Sequence, residues 1–144
     1  MKTQLDFLPI LFKKIKIAMQ EAAAIVLAKH DLSKIHTMYF MVLYHHKIGL
    51  TMKQMSDFIN VDKANTTRVI TNLVKTQFVV EEETDKIRNK KYRLTEKGML
   101  VATEIQQKNQ EIEKKIRQTL SDTEWNDLIS LSQKIALIDF KTHF

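Results

Sequence analysis

Between Leu50 and Gly98 the chain reads as two short helical patterns, a tight turn between them, and then a hairpin whose tip is almost all charge. Phe58-Ile59-Asn60-Val61-Asp62 closes one helical pattern and opens the next, with Asp62 placed to cap the second helix. This is the spacing of a helix-turn-helix. The second helix is expected from Lys63 to Thr76. At 100° per residue, Val69, Ile70, Leu73 and Val74 fall on one apolar stripe that must face a core.

The opposite side of that helix carries Asn65, Thr67, Arg68, Thr71, Asn72 and Lys75, with Lys63 at its start, and no acid. An ordinary solvated face mixes acids with bases to gain i,i+4 pairs. Short hydrogen-bonding side chains among long cations instead match base edges and phosphates. Phe78-Val79-Val80 and Tyr92-Arg93-Leu94 are β-prone, and the polar stretch from Glu81 to Lys91 between them predicts a hairpin. Lys86, Arg88, Lys90 and Lys91 are assigned to its tip, within reach of a DNA backbone or minor groove. Glu81, Glu82, Glu83 and Asp85 leave a second reading open, a solvated loop with a protected edge.

The run from Asp62 to Leu73, followed by Phe78-Val79, Arg88 and Leu94-Thr95-Glu96-Lys97-Gly98, resembles the winged-helix core of the MarR family of bacterial transcription regulators. The likeness extends over the whole chain in its order of elements, with one helix before the core region, a second beginning at Ser33, and two more after Gly98. It implies a mainly α fold with a small β-hairpin wing. It also implies one domain over residues 1–144, with a winged lobe at about 33–98 and dimerisation helices at about 5–30 and 99–142. Proteins of the family usually have Gly just after the recognition helix; Gln77 stands here, so a strained or differently shaped turn is expected. Where the family pattern places an Asp two positions before the wing arginine, this chain has Lys86, and Asp85 lies three before Arg88.

The terminal regions suggest how such a lobe is paired. A basic, amphipathic stretch from Phe7 to Ile17 continues through Met19, Ala22, Ala23 and Val26 as a helix with a face fit for burial. Val101, Ile105, Ile112, Ile116 and Leu120 form a seam, and Ser121-Asp122-Thr123-Glu124 is a capping box that restarts the chain. Trp125, Leu128, Leu131, Ile135 and Ile138 then lie on one side of a final helix without obvious cover. A symmetric homodimer follows, reading half-sites roughly 34 Å apart. In the resembled family a cleft beside the winged lobe often holds small aromatic effectors, and Phe12, His36, Tyr39 and Phe40 are the residues expected to line it here.

Lys plus Arg outnumber Asp plus Glu by 23 to 17, for a formal charge of +6, an excess that fits a polyanionic partner. The chain has no Cys, which excludes disulfides and thiol redox switching. His45 and His46 are adjacent while His30, His36 and His143 are scattered, so no metal site is expected. No nucleophile motif, phosphate-cradling glycine loop or paired carboxylates point to catalysis, and no cofactor is implied. No membrane span and no secretory leader are read, and a cytoplasmic protein is expected. The favoured reading is a ligand-responsive repressor that binds double-stranded DNA as a homodimer. The alternative is a winged-helix protein-interaction module, an antirepressor or scaffold, that binds no DNA.

Overall fold

The computed structural model describes residues 2–83 and 89–140. Helix α1 (Phe7–Ala28) leads through a short 3₁₀ turn (Lys34–His36) into α2 (Thr37–His45). Helices α3 (Met52–Ile59) and α4 (Lys63–Lys75) precede strands β1 (Val79–Glu82) and β2 (Lys91–Leu94), and α5 (Glu96–Arg117) and α6 (Asp122–Ile135) complete the order. Contacts divide the chain into two compact units, residues 1–109 and 110–144.

In the first unit, Ala23, Val26 and Leu27 of α1 join Tyr39, Phe40 and Leu43 of α2, Met55 of α3, and Val69, Ile70 and Leu73 of α4 in a single buried core. Val101, Ala102 and Ile105 of α5 complete it. The C-terminal half of α1 is therefore part of the winged lobe's own core, and the first two members of the apolar seam of α5 are spent within this chain. The N-terminal half of α1 differs: Phe7, Ile10, Leu11 and Phe12 are all exposed. In the second unit no residue of α6 is buried, and Leu131, Ile135 and Ile138 face solvent. The Ser121 capping box forms as expected, and its hydrogen bonds hold the Glu124 carboxyl below the usual glutamate value.

The helix-turn-helix is built from caps. Thr51 and Gln54 form a capping box at the start of α3. Asn60 ends that helix in the left-handed region at φ 60°, a conformation Asn tolerates well. Two residues later the Asp62 carboxylate accepts the Asn65 N–H at 2.7 Å and opens α4. The far end of α4 closes with the Phe78 N–H donating to Leu73 O at 2.9 Å and the Gln77 N–H to Val74 O at 3.1 Å, a Schellman motif. Gln77 takes the left-handed position at φ 68°. The motif therefore keeps its ordinary shape, and a side chain bears the strain that glycine would avoid.

Strands β1 and β2 pair antiparallel in the register Val79↔Leu94, Val80↔Arg93, Glu81↔Tyr92 and Glu82↔Lys91. Leu50 and Tyr92 exchange backbone hydrogen bonds of 2.9 and 2.8 Å, so the wing is also tied to the segment entering α3. Leu94 to Gly98 then locks the wing to the end of α4. Thr95 N–H donates to Phe78 O at 3.0 Å, Thr95 Oγ1 donates to Gln77 O at 2.6 Å, and Lys97 Nζ donates to Thr76 O at 3.1 Å. Gly98 packs so closely that a Cβ there would lie 2.1 Å from the Phe78 carbonyl oxygen.

Two substitutions test these joints. Gly98→Ala forces backbone apart and should lower the unfolding free energy by about 3 kcal/mol. Gln77→Gly relieves a left-handed side chain and should raise it by up to about 1 kcal/mol, after the larger chain entropy of glycine is subtracted. Urea unfolding midpoints at constant m-value measure both.

Candidate nucleic-acid interface

Helix α4 presents Lys63, Thr67, Arg68, Thr71, Asn72 and Lys75 to solvent, with Asn65 half-buried beside them. An Arg68 guanidinium nitrogen donates to Asn65 Oδ1 one turn back, which holds the guanidinium along the helix surface. Thr67 Oγ1 donates to Lys63 O at 2.9 Å, leaving its methyl group and oxygen lone pairs outward. The seven residues assigned to this helix thus share one continuous, acid-free face.

A side chain that the apolar pattern passed over secures that face from beneath. Thr66 is fully buried, and its Oγ1 lies 2.9 Å from Ser56 Oγ of α3 and 3.3 Å from the Tyr39 hydroxyl of α2. Ser56 Oγ also donates to Met52 O at 3.0 Å. Three hydroxyls from three helices satisfy one another inside an apolar core, so α4 is held by directional bonds as well as by packing. The signal available in the sequence was a hydroxyl residue at a position facing inward, between Lys63 and Val69 on the helical wheel.

The wing is more neutral than its cation count suggests. Lys90 Nζ lies 3.0 Å from Glu81 Oε1, and this partner raises the lysine pKa above its ordinary value. Burial, then Glu81, raises that of Tyr92, whose hydroxyl donates to the same carboxylate at 3.3 Å. Arg93 pairs with Glu82. Lys91, assigned to the tip, is instead the first residue of β2, partly buried and opposite Glu82 in register. Lys86 and Arg88 lie outside the described residues.

Where α3, α4 and the wing meet, Thr51, Met52, Lys53, Lys63, Asn89, Lys90 and Tyr92 line an open groove of about 390 Å³. Lys53 was not singled out in the sequence because α3 shows no cationic pattern. Only the fold sets it beside Lys63.

The four residues expected to line an effector cleft are separated. Tyr39 and Phe40 are core side chains at 3% and 0% exposure, Phe40 meeting the Phe78 ring edge to face at 6.0 Å between centroids. His36 is buried at the 3₁₀ turn, where its Nδ1 accepts the Ser33 N–H at 3.1 Å in a capping box. Burial pushes its pKa below the usual 6.5. Phe12 does border a cavity, an apolar pocket of about 300 Å³ between α1 and α2 shared with Ile15, Lys16, Met19, Gln20, Thr37, Met38 and Met41. Tyr39 and Phe40 follow Met38 on the same short helix, but the residues that turn toward α1 are Thr37, Met38 and Met41. Among the described residues no group of three or more His, Cys, Asp or Glu side chains is arranged to hold a metal ion, and no helix is long and apolar enough to cross a membrane.

No family model and no curated protein sequence matches the chain. Solved structures do. A structure from Listeria monocytogenes described as a MarR-family transcriptional regulator with 26mer DNA has a TM-score of 0.77 at 20% identity, over 94% of this chain and 88% of that one. A MarR transcriptional regulator from Methanosarcina mazei Go1 has a TM-score of 0.73 at 20% identity, over 94% and 90%. The S. aureus MepR–DNA complex has a TM-score of 0.69 at 19% identity, over 94% and 98%. The fold is that of the MarR regulators, as the resemblance in the motifs implied.

Thr66→Val keeps the shape and removes the hydroxyl, leaving Tyr39 with one partner fewer in the core. It should cost about 1 to 3 kcal/mol in urea unfolding while the helical circular dichroism stays native. His36 supplies a pH dependence. The folded chain favours the neutral ring, so its contribution is complete above the unfolded value of 6.5 and is lost as pH falls below it. Stability should decline from about pH 7.5 to about pH 5.5 and decline less in His36→Gln. An equal decline in both proteins would assign the effect to other groups.

Proposed function

We propose that this chain is a cytoplasmic transcription regulator of the MarR family that binds double-stranded DNA as a homodimer and represses from a pseudo-palindromic operator. The observation that carries the reading is the acid-free exposed face of α4, from Lys63 to Lys75, set on a capped and hydrogen-bonded helix in a winged-helix lobe. Arg68 and Asn72, four residues apart, project together and suit bidentate contacts to base edges. Lys63 and Lys75 at the two ends suit phosphates, as does Lys53 across the groove. Solved structures of this fold that hold DNA, from L. monocytogenes and S. aureus, support DNA as the partner.

Pairing rests on what each terminal helix leaves uncovered. The exposed Phe7, Ile10, Leu11 and Phe12 of α1, and separately Leu131 and Ile135 of α6 with Ile138 just beyond it, are apolar residues of the kind a second copy buries. A small aromatic effector fits the pocket bordered by Phe12, whose walls are almost wholly apolar. Movement of α1 against α2 would then reach α4 through the Tyr39–Thr66 hydroxyl contact.

Selection of bound duplexes from a random pool with purified protein tests the proposal. An enriched inverted repeat with half-sites about one helical turn apart is the expected outcome. Failure to enrich any duplex would favour the protein-interaction module. On the selected site, Arg68→Ala should cost about 1 to 3 kcal/mol. Lys63→Ala should reduce the salt slope by about one, and Lys90→Ala by less, because its ammonium is already shared with Glu81.

A further inference from the structure

Three of the seven methionines, Met19 of α1 with Met38 and Met41 of α2, line the same pocket of about 300 Å³. Met38 and Met41 are one turn apart and so lie on one helix face. All three are partly exposed, as are Met52 and Met99, whereas Met55 is fully buried in the core. One further group in this pocket is chemically incomplete. Thr37 is buried at 1% exposure, and its Oγ1 makes no hydrogen bond among the described residues. The pocket therefore combines three reachable thioethers, apolar walls and a buried hydroxyl donor lacking an acceptor.

We propose that Met19, Met38 and Met41 form a reversible oxidation site, and that conversion to the sulfoxides loosens the packing of α1 on α2 and weakens DNA binding. The DNA readout rests on the proposed function above. The oxidant is a peroxide. The thioether sulfur attacks one peroxide oxygen, the O–O bond breaks, and the departing hydroxide takes the proton from the oxygen now bound to sulfur, leaving water and the sulfoxide; sulfur is oxidised by two electrons and hydrogen peroxide is reduced. The product places a polar S=O bond in a pocket whose other walls include Phe12 and Ile15, where a flexible apolar side chain stood. With no cysteine in the chain, thioethers are the sulfur available for this chemistry.

The test treats the full chain with dilute hydrogen peroxide, maps added oxygen by peptide mass spectrometry, and follows both the thermal midpoint and affinity for the selected duplex. Sulfoxide should form at Met19, Met38 and Met41 ahead of Met55. Affinity should fall about tenfold, within the range usual for coupled sites, and methionine sulfoxide reductases should restore it. The volume-conserving triple variant Met19→Leu, Met38→Leu, Met41→Leu should keep both affinity and midpoint under peroxide. Pocket methionines that resist peroxide as fully as Met55, or a fully oxidised pocket with unchanged midpoint and affinity, overturns the proposal. Should untreated protein bind no duplex, the DNA reading fails by itself, and the order of oxidation with the midpoint still decides the oxidation site.

Discussion

Three consecutive carbonyls at the end of α4, those of Thr76, Gln77 and Phe78, are each taken by a donor from the short segment Thr95 to Lys97. Gly98 completes the joint by allowing the backbones to touch where any side chain would collide with the Phe78 oxygen. Thr95 also accepts the Gly98 N–H at 3.1 Å, so the residue that grips α4 opens α5 as well. Helix α4, the base of the wing and the first turn of α5 therefore move as one piece. The angle at which the polar face of α4 is presented depends on this joint, because directional bonds fix an orientation that apolar packing alone leaves freer.

A second set of directional bonds acts from the opposite side. The hydroxyls of Tyr39, Ser56 and Thr66 link α2, α3 and α4 in a region where water is excluded. Partial slippage of α4 would leave buried oxygens unpaired, at a cost greater than that of losing equal apolar area. The exposed face can accordingly consist of residues chosen for contact with a partner, since little of the helix's stability derives from them. The wing follows a different logic, where Glu81 and Glu82 neutralise Lys90 and Arg93 and keep a two-stranded sheet ordered.

Much of this architecture could be read residue by residue. Asp62 and Ser121 cap the helices they were expected to cap, and Val69, Ile70 and Leu73 are buried as their periodicity demands. Caps and stripes are local, and each is encoded within a few residues. The errors came where a decision depended on distant chain. Tyr39 and Phe40 are aromatic residues on a short helix that is apolar nearly all round, with His36 in the turn before it, so no periodicity indicates which side meets α1 and which meets the core. Val101 and Ile105 looked continuous with Ile112 and Ile116, yet the first pair lies in the core of the first unit and the second is only partly covered. Lys91 fell within a charged run, and strand register alone separates it from the tip.

The sequence by itself determined the order of helices and hairpin, their caps, and an acid-free face on α4, because helical spacing, turn chemistry and charge are properties of neighbouring residues. Tertiary structure alone decided which apolar residues are core and which remain uncovered, since burial is a relation between segments far apart in the chain. It also decided that Gln77 adopts the left-handed turn glycine usually takes, held there by the hydrogen bonds around it, and that Thr66 turns inward to two hydroxyls. It gathered Thr37 with Met19, Met38 and Met41 around one pocket, a neighbourhood that exists only once α1 has folded across α2.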